Sequence, residues 1–120
     1  MKVREEQLQA LAADRERAFV RQMVSHLNAD FKEHLTKQGL KSEQVEPLVR
    51  LGISRAKAYD VVLRSDVWLF IECMVLFSPD FDENPDTAWA GKILRREDID
   101  GTAKMGQIND HMLFGLEEPI

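Results

Sequence analysis

The sequence predicts an all-α protein, a compact bundle of about five helices that opens with a long N-terminal helix. Residues 5–38 contain no glycine or proline, and apolar residues recur there at every fourth position, the spacing of one helix face. Residues 67–77 are apolar nearly throughout, as in a helix that is buried on all sides. Serine, asparagine, glycine and proline separate the apolar segments, where helices start and stop.

The first helix is predicted from about Glu5 to Gln38, and it should end at Gly39. Its second half carries an apolar stripe that should face the core: Phe19, Met23, Leu27, Phe31 and Leu35. Charged residues dominate its first half, which therefore has little reason to lie in the core. We expect residues 1–17 to project as an amphipathic helix that binds a partner through an edge formed by Leu8, Leu11, Arg15 and Phe19.

The middle of the chain is predicted to form two helices. The first covers residues 42–59 and contains Gly52, at which it could break. The second covers residues 67–77, and we expect Ser65 and Asp66 to cap it. A buried β-strand is the alternative for this apolar run. A helix is favoured because Leu, Met, Glu and Cys are mixed within about eleven residues.

Two shorter helices complete the prediction. Asn84 stands directly before Pro85, which places a capping side chain ahead of a proline at the first helical position. A helix over residues 87–94 should follow. A last helix is expected over residues 102–114, and residues 115–120 should form a frayed tail.

The composition excludes several classes of function. The formal net charge of −5 opposes binding to a nucleic-acid backbone. The single cysteine, Cys73, cannot form an internal disulfide, which fits a reducing compartment. The first residues lack the apolar core of a secretory signal, and no apolar stretch is long enough to cross a membrane. We therefore expect a cytoplasmic protein that forms a single helical domain, residues 1–120, without membrane association.

The loop after residue 77 has the sharpest local pattern in the chain. Its oxygen-bearing side chains alternate as Asp80-x-Asp82-x-Asn84-x-Asp86, like the first ligands of an EF-hand calcium loop. That loop requires Gly at its sixth position, where Pro85 stands, and a bidentate Glu at its twelfth, which is a glycine in this chain. We interpret the segment as a structural turn that holds no metal.

No other set of residues predicts catalysis or a cofactor. His26, Asp30 and His34 share one helix face, but they flank the apolar stripe, and no Cys pair or second His pair adds a ligand. Cys73 should be buried, which raises the pKa of a thiol and suppresses its reactivity. Neither a phosphate-binding glycine loop nor a Gly-x-Ser-x-Gly motif is present. We therefore expect no enzyme activity, no cofactor and no metal.

The segment from about Ala56 to Leu94 resembles a known family. It contains Arg-Ala-x-Ala-Tyr, then Phe-Ser-Pro-Asp-Phe-Asp-x-Asn-Pro and Ala-Trp-Ala-Gly-x-Ile-Leu. These motifs are similar to the GPDFD-x-x-P-x-x-PWA-x-x-IL signature of small helical bacterial proteins that are encoded beside type VI secretion spike and effector genes. Ser78 stands where that signature often has Gly, and Thr87 where it often has Pro.

The motif is interpreted as a structural clasp that locks a loop onto the central helix. Fixed proline backbone angles and buried aromatic rings would hold it in place. The residues assigned to this clasp are Pro79, Asp80, Phe81, Asp82, Asn84, Pro85 and Trp89.

Three hypotheses for function remain open. The first, which the resemblance implies, is an adaptor or chaperone-like accessory that binds a secreted effector, or its spike-loading domain, before export. The second is an immunity protein whose acidic charge suits a basic toxin surface. The third is a small metal-dependent enzyme or sensor that uses the acidic loop. A second copy of this chain is a further partner for the N-terminal helix.

Overall fold

The computed structural model describes residues 2–114, apart from the side chains of Lys2, Val3, Glu5 and Phe114. Its elements are α1 (Lys2–Asp30), α2 (Lys32–Lys37), α3 (Ser42–Ala58), α4 (Arg64–Leu76), a 3-10 turn (Pro85–Thr87), α5 (Ala88–Leu94) and α6 (Gly101–Phe114). These residues contain no strand, so the all-α class and the long N-terminal helix are confirmed. The predicted frayed tail, residues 115–120, lies outside the described residues.

The first helix is shorter than predicted, because it ends at Asp30 and α2 follows as a separate helix. Between them, Phe31 has φ −119° and ψ 19°, which departs from helical geometry. The Phe31 N–H still donates to Leu27 O, and the Leu35 N–H to Phe31 O, both at 2.9 Å. Asn28, a weak helix former, shortly precedes this bend. Because of this bend the structure has six α-helices, whereas the sequence predicts about five.

The helix α3 continues through Gly52 without a break. A Cβ at Gly52 would lie 2.6 Å from Ile71 Cγ1, so this glycine allows α3 and α4 to approach each other closely. Gly39 and Asp60 follow α2 and α3 with φ angles of 69° and 66°. Both are left-handed residues just beyond a helix end, and Gly39 follows the end of α2, whereas the prediction placed the end of the first helix there.

Contacts group the chain into two compact units, Met1–Arg50 and Leu51–Ile120. In the first unit the buried apolar side chains belong to α1, α2 and the first part of α3. They are Phe19, Val20, Met23, Leu27, Leu35, Val45, Leu48 and Val49. The predicted stripe of the first helix is therefore buried, except for Phe31, which is half-buried.

The second unit contains α4 as its buried helix. Six of the thirteen side chains of α4 are buried: Val67, Phe70, Ile71, Cys73, Met74 and Val75. Because α6 contacts both α4 and α5, its residues Met105 and Ile108 are buried as well. The prediction of a buried central helix is confirmed. Among the described residues, no helix is long and apolar enough to cross a membrane.

The start of α4 differs from the prediction. The helix begins at Arg64, and the residue before it, Leu63, has an extended backbone and makes no side-chain cap. The predicted cap by Ser65 and Asp66 is therefore wrong. The Asp66 carboxylate instead accepts the hydroxyl of Thr102 at 2.7 Å, so it connects α4 to α6.

Candidate functional site

The loop between α4 and α5 is closed by hydrogen bonds to one carbonyl. The N–H groups of Glu83 and Asn84 donate to Asp80 O, at 2.8 and 2.9 Å. The Asn84 side chain in turn accepts the N–H of Asp86 at 2.9 Å, with Pro85 at the first position of the 3-10 turn. The predicted helix start at Asn84 and Pro85 is therefore confirmed.

The Asp80 carboxylate takes part in this turn. Its Oδ1 accepts the Ser78 hydroxyl at 2.7 Å and the Asn84 amide at 3.4 Å. These two hydrogen bonds, with that from Ser78 the larger, lower the pKa of Asp80. Asp80 is exposed, so its role in the loop is that of a local acceptor.

Asp82 is buried and connects the loop to the ends of two helices. Its Oδ2 accepts the Tyr59 hydroxyl at 2.6 Å, and its Oδ1 lies 3.4 Å from Arg55 Nη1. The Asp82 backbone carbonyl accepts Arg95 Nη2 at 2.9 Å. We call these four residues the Asp82 network. Through them, the loop is attached to the C-terminal part of α3 and to the C-terminal end of α5.

Two further contacts hold the loop in position. Arg55 Nη1 also donates to Pro79 O at 2.8 Å, so one guanidinium contacts both Pro79 and Asp82 of the loop. A Cβ at Gly91 would lie 2.6 Å from Asp82 O, and only glycine leaves room for α5 to approach this carbonyl. The glycine of the Ala-Trp-Ala-Gly motif therefore has a structural role.

The pKa of Tyr59 is raised in this network. This pKa rises to about 12, mainly because the phenol is partly buried and also because the phenol donates a hydrogen bond to Asp82. At neutral pH the phenol is a hydrogen-bond donor to a buried carboxylate. The arrangement therefore fixes a loop through charge-assisted hydrogen bonds.

The apolar anchor of the loop is Phe81. Its side chain is fully buried, and its ring meets Phe70 of α4 edge-on at 5.0 Å between centroids. Trp89, to which the clasp hypothesis gives a buried position, is only half-buried. It stacks on His111 at 3.8 Å and 15°, and it meets Phe77 edge-on at 5.6 Å. Trp89 thus covers the contact between α5 and α6.

Cys73 occupies the interior of α4, as expected for a packing residue. It is fully buried, and this burial raises the pKa of its thiol to about 12. Its Sγ lies 3.7 Å from the Met112 sulfur of α6.

The part of the chain that the structure describes contains no group of three or more His, Cys, Asp or Glu side chains that could hold a metal. The Asp80 and Asp82 carboxylates contact separate partners. In the first unit, His26 Nδ1 lies 3.0 Å from Asp30 Oδ2. The His34 ring instead packs against the Phe31 ring, with 5.7 Å between the ring centroids.

The residues predicted to bind a partner fall into two groups. Every described side chain from Arg4 to Arg17 is exposed, including Arg15. Leu8 and Leu11 are 59% and 51% exposed, to about the same extent as Leu51, Leu63 and Leu113 of the second unit. Phe19, by contrast, is only 8% exposed and belongs to the core of the first unit. The structure therefore separates Phe19 from the exposed apolar edge.

A depression of about 570 Å³ lies beside the Asp82 network in the second unit. Tyr59 and Arg95 of the network line it, together with Arg96, Ile99 and Lys104. The sequence reasoning assigned no role to Arg55, Tyr59 or Lys104. Their partners are distant in the chain, since 23 residues separate Tyr59 from Asp82 and 45 separate it from Lys104.

Comparisons of the chain with protein-family models, with curated proteins and with solved structures gave no match. Its functional interpretation therefore depends on its own residues and on the motif resemblance described above.

Proposed function

We propose that this chain is a protein-binding accessory of the adaptor or chaperone type, and that the first half of α1 forms its binding surface. The observation that supports the proposal is the exposure of every described side chain from Arg4 to Arg17. Two of them, Leu8 and Leu11, are large apolar side chains one turn apart on the same helix face.

Such a helix gains little from the rest of the chain. Burial of an apolar face normally supplies most of a helix's stability in a protein, and every described side chain from Arg4 to Arg17 is exposed. Burial of Leu8 and Leu11 in a groove of another protein would supply this contribution. Charged residues around them, such as Arg15, would lie at the rim of such an interface and favour a partner that carries opposite charges at the facing positions.

The motif resemblance suggests the nature of the partner. Proteins with this signature are encoded beside type VI secretion genes, so the proposed partner is a secreted effector or its spike-loading domain in the producing cell. No catalytic step is assigned to this chain. The formal net charge of −5 favours an immunity protein as the second candidate, because an acidic surface complements a basic toxin.

The test is co-purification with the product of an adjacent gene. Replacing both Leu8 and Leu11 by Asp should abolish co-elution in size-exclusion chromatography, because a carboxylate in an apolar groove loses its hydration without a partner. The melting temperature should stay nearly unchanged, since both side chains are exposed.

A matched control is available within the chain. Leu51 and Leu113 also lie on helices and are 47% and 60% exposed. Their double replacement by Asp changes the charge equally and should leave binding intact. Equal loss of binding in both double variants, or full binding by the variant at Leu8 and Leu11, would place the recognition surface elsewhere.

The adaptor and immunity roles differ in the fate of the partner. Without an adaptor, the effector should fall in abundance or become insoluble. Without an immunity protein, it should accumulate in active form and arrest growth.

A further inference from the structure

Lys104 is buried without a carboxylate partner. Only 7% of its surface is exposed, and its Nζ donates to Tyr59 O at 2.9 Å. Among the described residues, no Asp or Glu lies within ion-pair distance of this ammonium. Buried lysines are rare, and they are normally paired because removing a charge from water is costly.

The carbonyl of Tyr59 meets only part of this demand. It lies just beyond the C-terminal end of α3, where helix carbonyls carry partial negative charge and attract cations. An ammonium has three N–H donors, however, and one carbonyl occupies one of them. The other two have no acceptor among the described residues.

The depression beside Lys104 contains two further cations. Arg96 is already neutralised by Asp98, whose carboxylate accepts from Nε at 3.0 Å and from Nη2 at 2.6 Å. Arg95 uses Nη2 on the Asp82 carbonyl, and its remaining N–H groups have no acceptor among the described residues. Lys104 and Arg95 therefore share one depression with unused donors.

We propose that this depression binds the oxyanion group, a carboxylate or a phosphate, of a small ligand, with the Lys104 ammonium and the Arg95 guanidinium as its main contacts. A volume of about 570 Å³ is within the range of small-molecule sites. Leu94 and Ile99 add an apolar wall for the uncharged part of the ligand. This inference does not depend on the N-terminal helix or on its partner.

The remaining charges of the depression limit the charge of the ligand. Asp60 and Glu97 also line the depression, and both are exposed. Their carboxylates repel a polyanion, so the site selects a ligand with one oxyanion group over a nucleic-acid backbone.

The test is a titration followed by two-dimensional ¹H–¹⁵N NMR of the full chain, with inorganic phosphate in one arm and butyrate in the other. Sodium chloride at matched ionic strength controls for screening. We expect saturable shifts of the Lys104, Arg95 and Ile99 amides, with a dissociation constant of about 1–10 mM for such small probes. Saturation by phosphate alone identifies a phosphate ligand, and saturation by butyrate identifies a carboxylate.

Variants test the role of the ammonium. Lys104→Met keeps the length of the side chain and removes its charge, and it should weaken binding at least about tenfold. Lys92→Met, at an exposed position of α5, should bind like the parent. If Lys104→Met does not fold, Arg95→Met must weaken binding several-fold. Shifts no larger than those with sodium chloride, or unchanged affinity in the variant that folds, would refute the proposal.

Discussion

Replacing Tyr59 by Phe removes a single oxygen atom from the Asp82 network. The hydroxyl donates to Asp82 Oδ2 at 2.6 Å, and Asp82 is only 3% exposed. The Tyr59 ring lies 6.2 Å from that of Phe70 between centroids, and we expect the phenylalanine ring of the variant to keep this contact. The substitution therefore measures one hydrogen bond to a buried carboxylate.

The expected cost follows from the remaining contacts of that carboxylate. A hydrogen bond to a charged group contributes about 1.5–3 kcal/mol, and its loss leaves Oδ2 without this donor. Arg55 Nη1 still lies 3.4 Å from Oδ1 and offsets part of the charge. Tyr59 is half-buried, so water can replace some of the lost interaction. We expect the free energy of unfolding to fall by about 2 kcal/mol at neutral pH, as measured by urea denaturation.

The pH dependence gives a second, independent measure. The folded protein binds the phenolic proton more tightly than the unfolded chain, because the pKa rises from 10.0 to about 12. This contribution is complete below pH 10 and is lost as the pH rises towards 12. The stability difference between parent and variant should therefore narrow by about 1–2 kcal/mol over this interval, after allowance for solvent screening. Cys73 is present in both proteins, so its own alkaline titration cancels.

A direct assay is possible because Tyr59 is the only tyrosine of the chain. The ultraviolet absorbance of tyrosinate reports its titration without interference from other tyrosines. If Tyr59 titrates at its ordinary value and Tyr59→Phe is as stable as the parent, the Asp82 network does not hold the loop in solution.

Three further predictions concern packing in the second unit. Gly101→Ala should destabilise the fold by about 3 kcal/mol or more, because its Cβ would lie 1.9 Å from Asp60 O and a backbone atom cannot rotate away. Gly106→Ala, in the same helix with no atom within 4 Å, should instead stabilise it by about 1 kcal/mol, and equal melting temperatures for the two variants would contradict this account. Trp89→Ala should cost about 2–3 kcal/mol, less than a fully buried aromatic, because the ring is half-buried. Urea denaturation checks all three values, and a cost near zero for Trp89→Ala would show that its stack on His111 does not contribute.

Local sequence patterns predict those elements of the fold that depend on residues close to one another in the chain. The buried helix α4, the start of the 3-10 turn at Asn84 and Pro85, and the helix end at Gly39 all follow from spacing and capping rules. The bend at Phe31 does not, because the apolar stripe continues through it and hydrogen bonds are kept on both sides.

Contacts between distant segments could not be predicted in the same way. The three partners of Asp82 come from α3 and from the end of α5, and no periodicity connects them. The glycines that are required by a nearby backbone carbonyl could not be predicted from local patterns either. Gly91 and Gly101 are required because a carbonyl from elsewhere in the chain comes close to them, whereas Gly106 in the same helix as Gly101 has no such neighbour. Composition alone does not distinguish them.

The sequence contains one signal that distinguishes Lys104, namely its position on the apolar face of α6. It precedes Ile108 by four residues, so the two share one face of α6, and Ile108 is fully buried. A lysine on a buried face contradicts the usual distribution of residues. Sequences agree with their fold at most positions, and disagreements concentrate where a residue serves something other than folding. This disagreement supports the proposal that the depression at Lys104 binds a ligand, a site that apolar patches on the surface do not reveal.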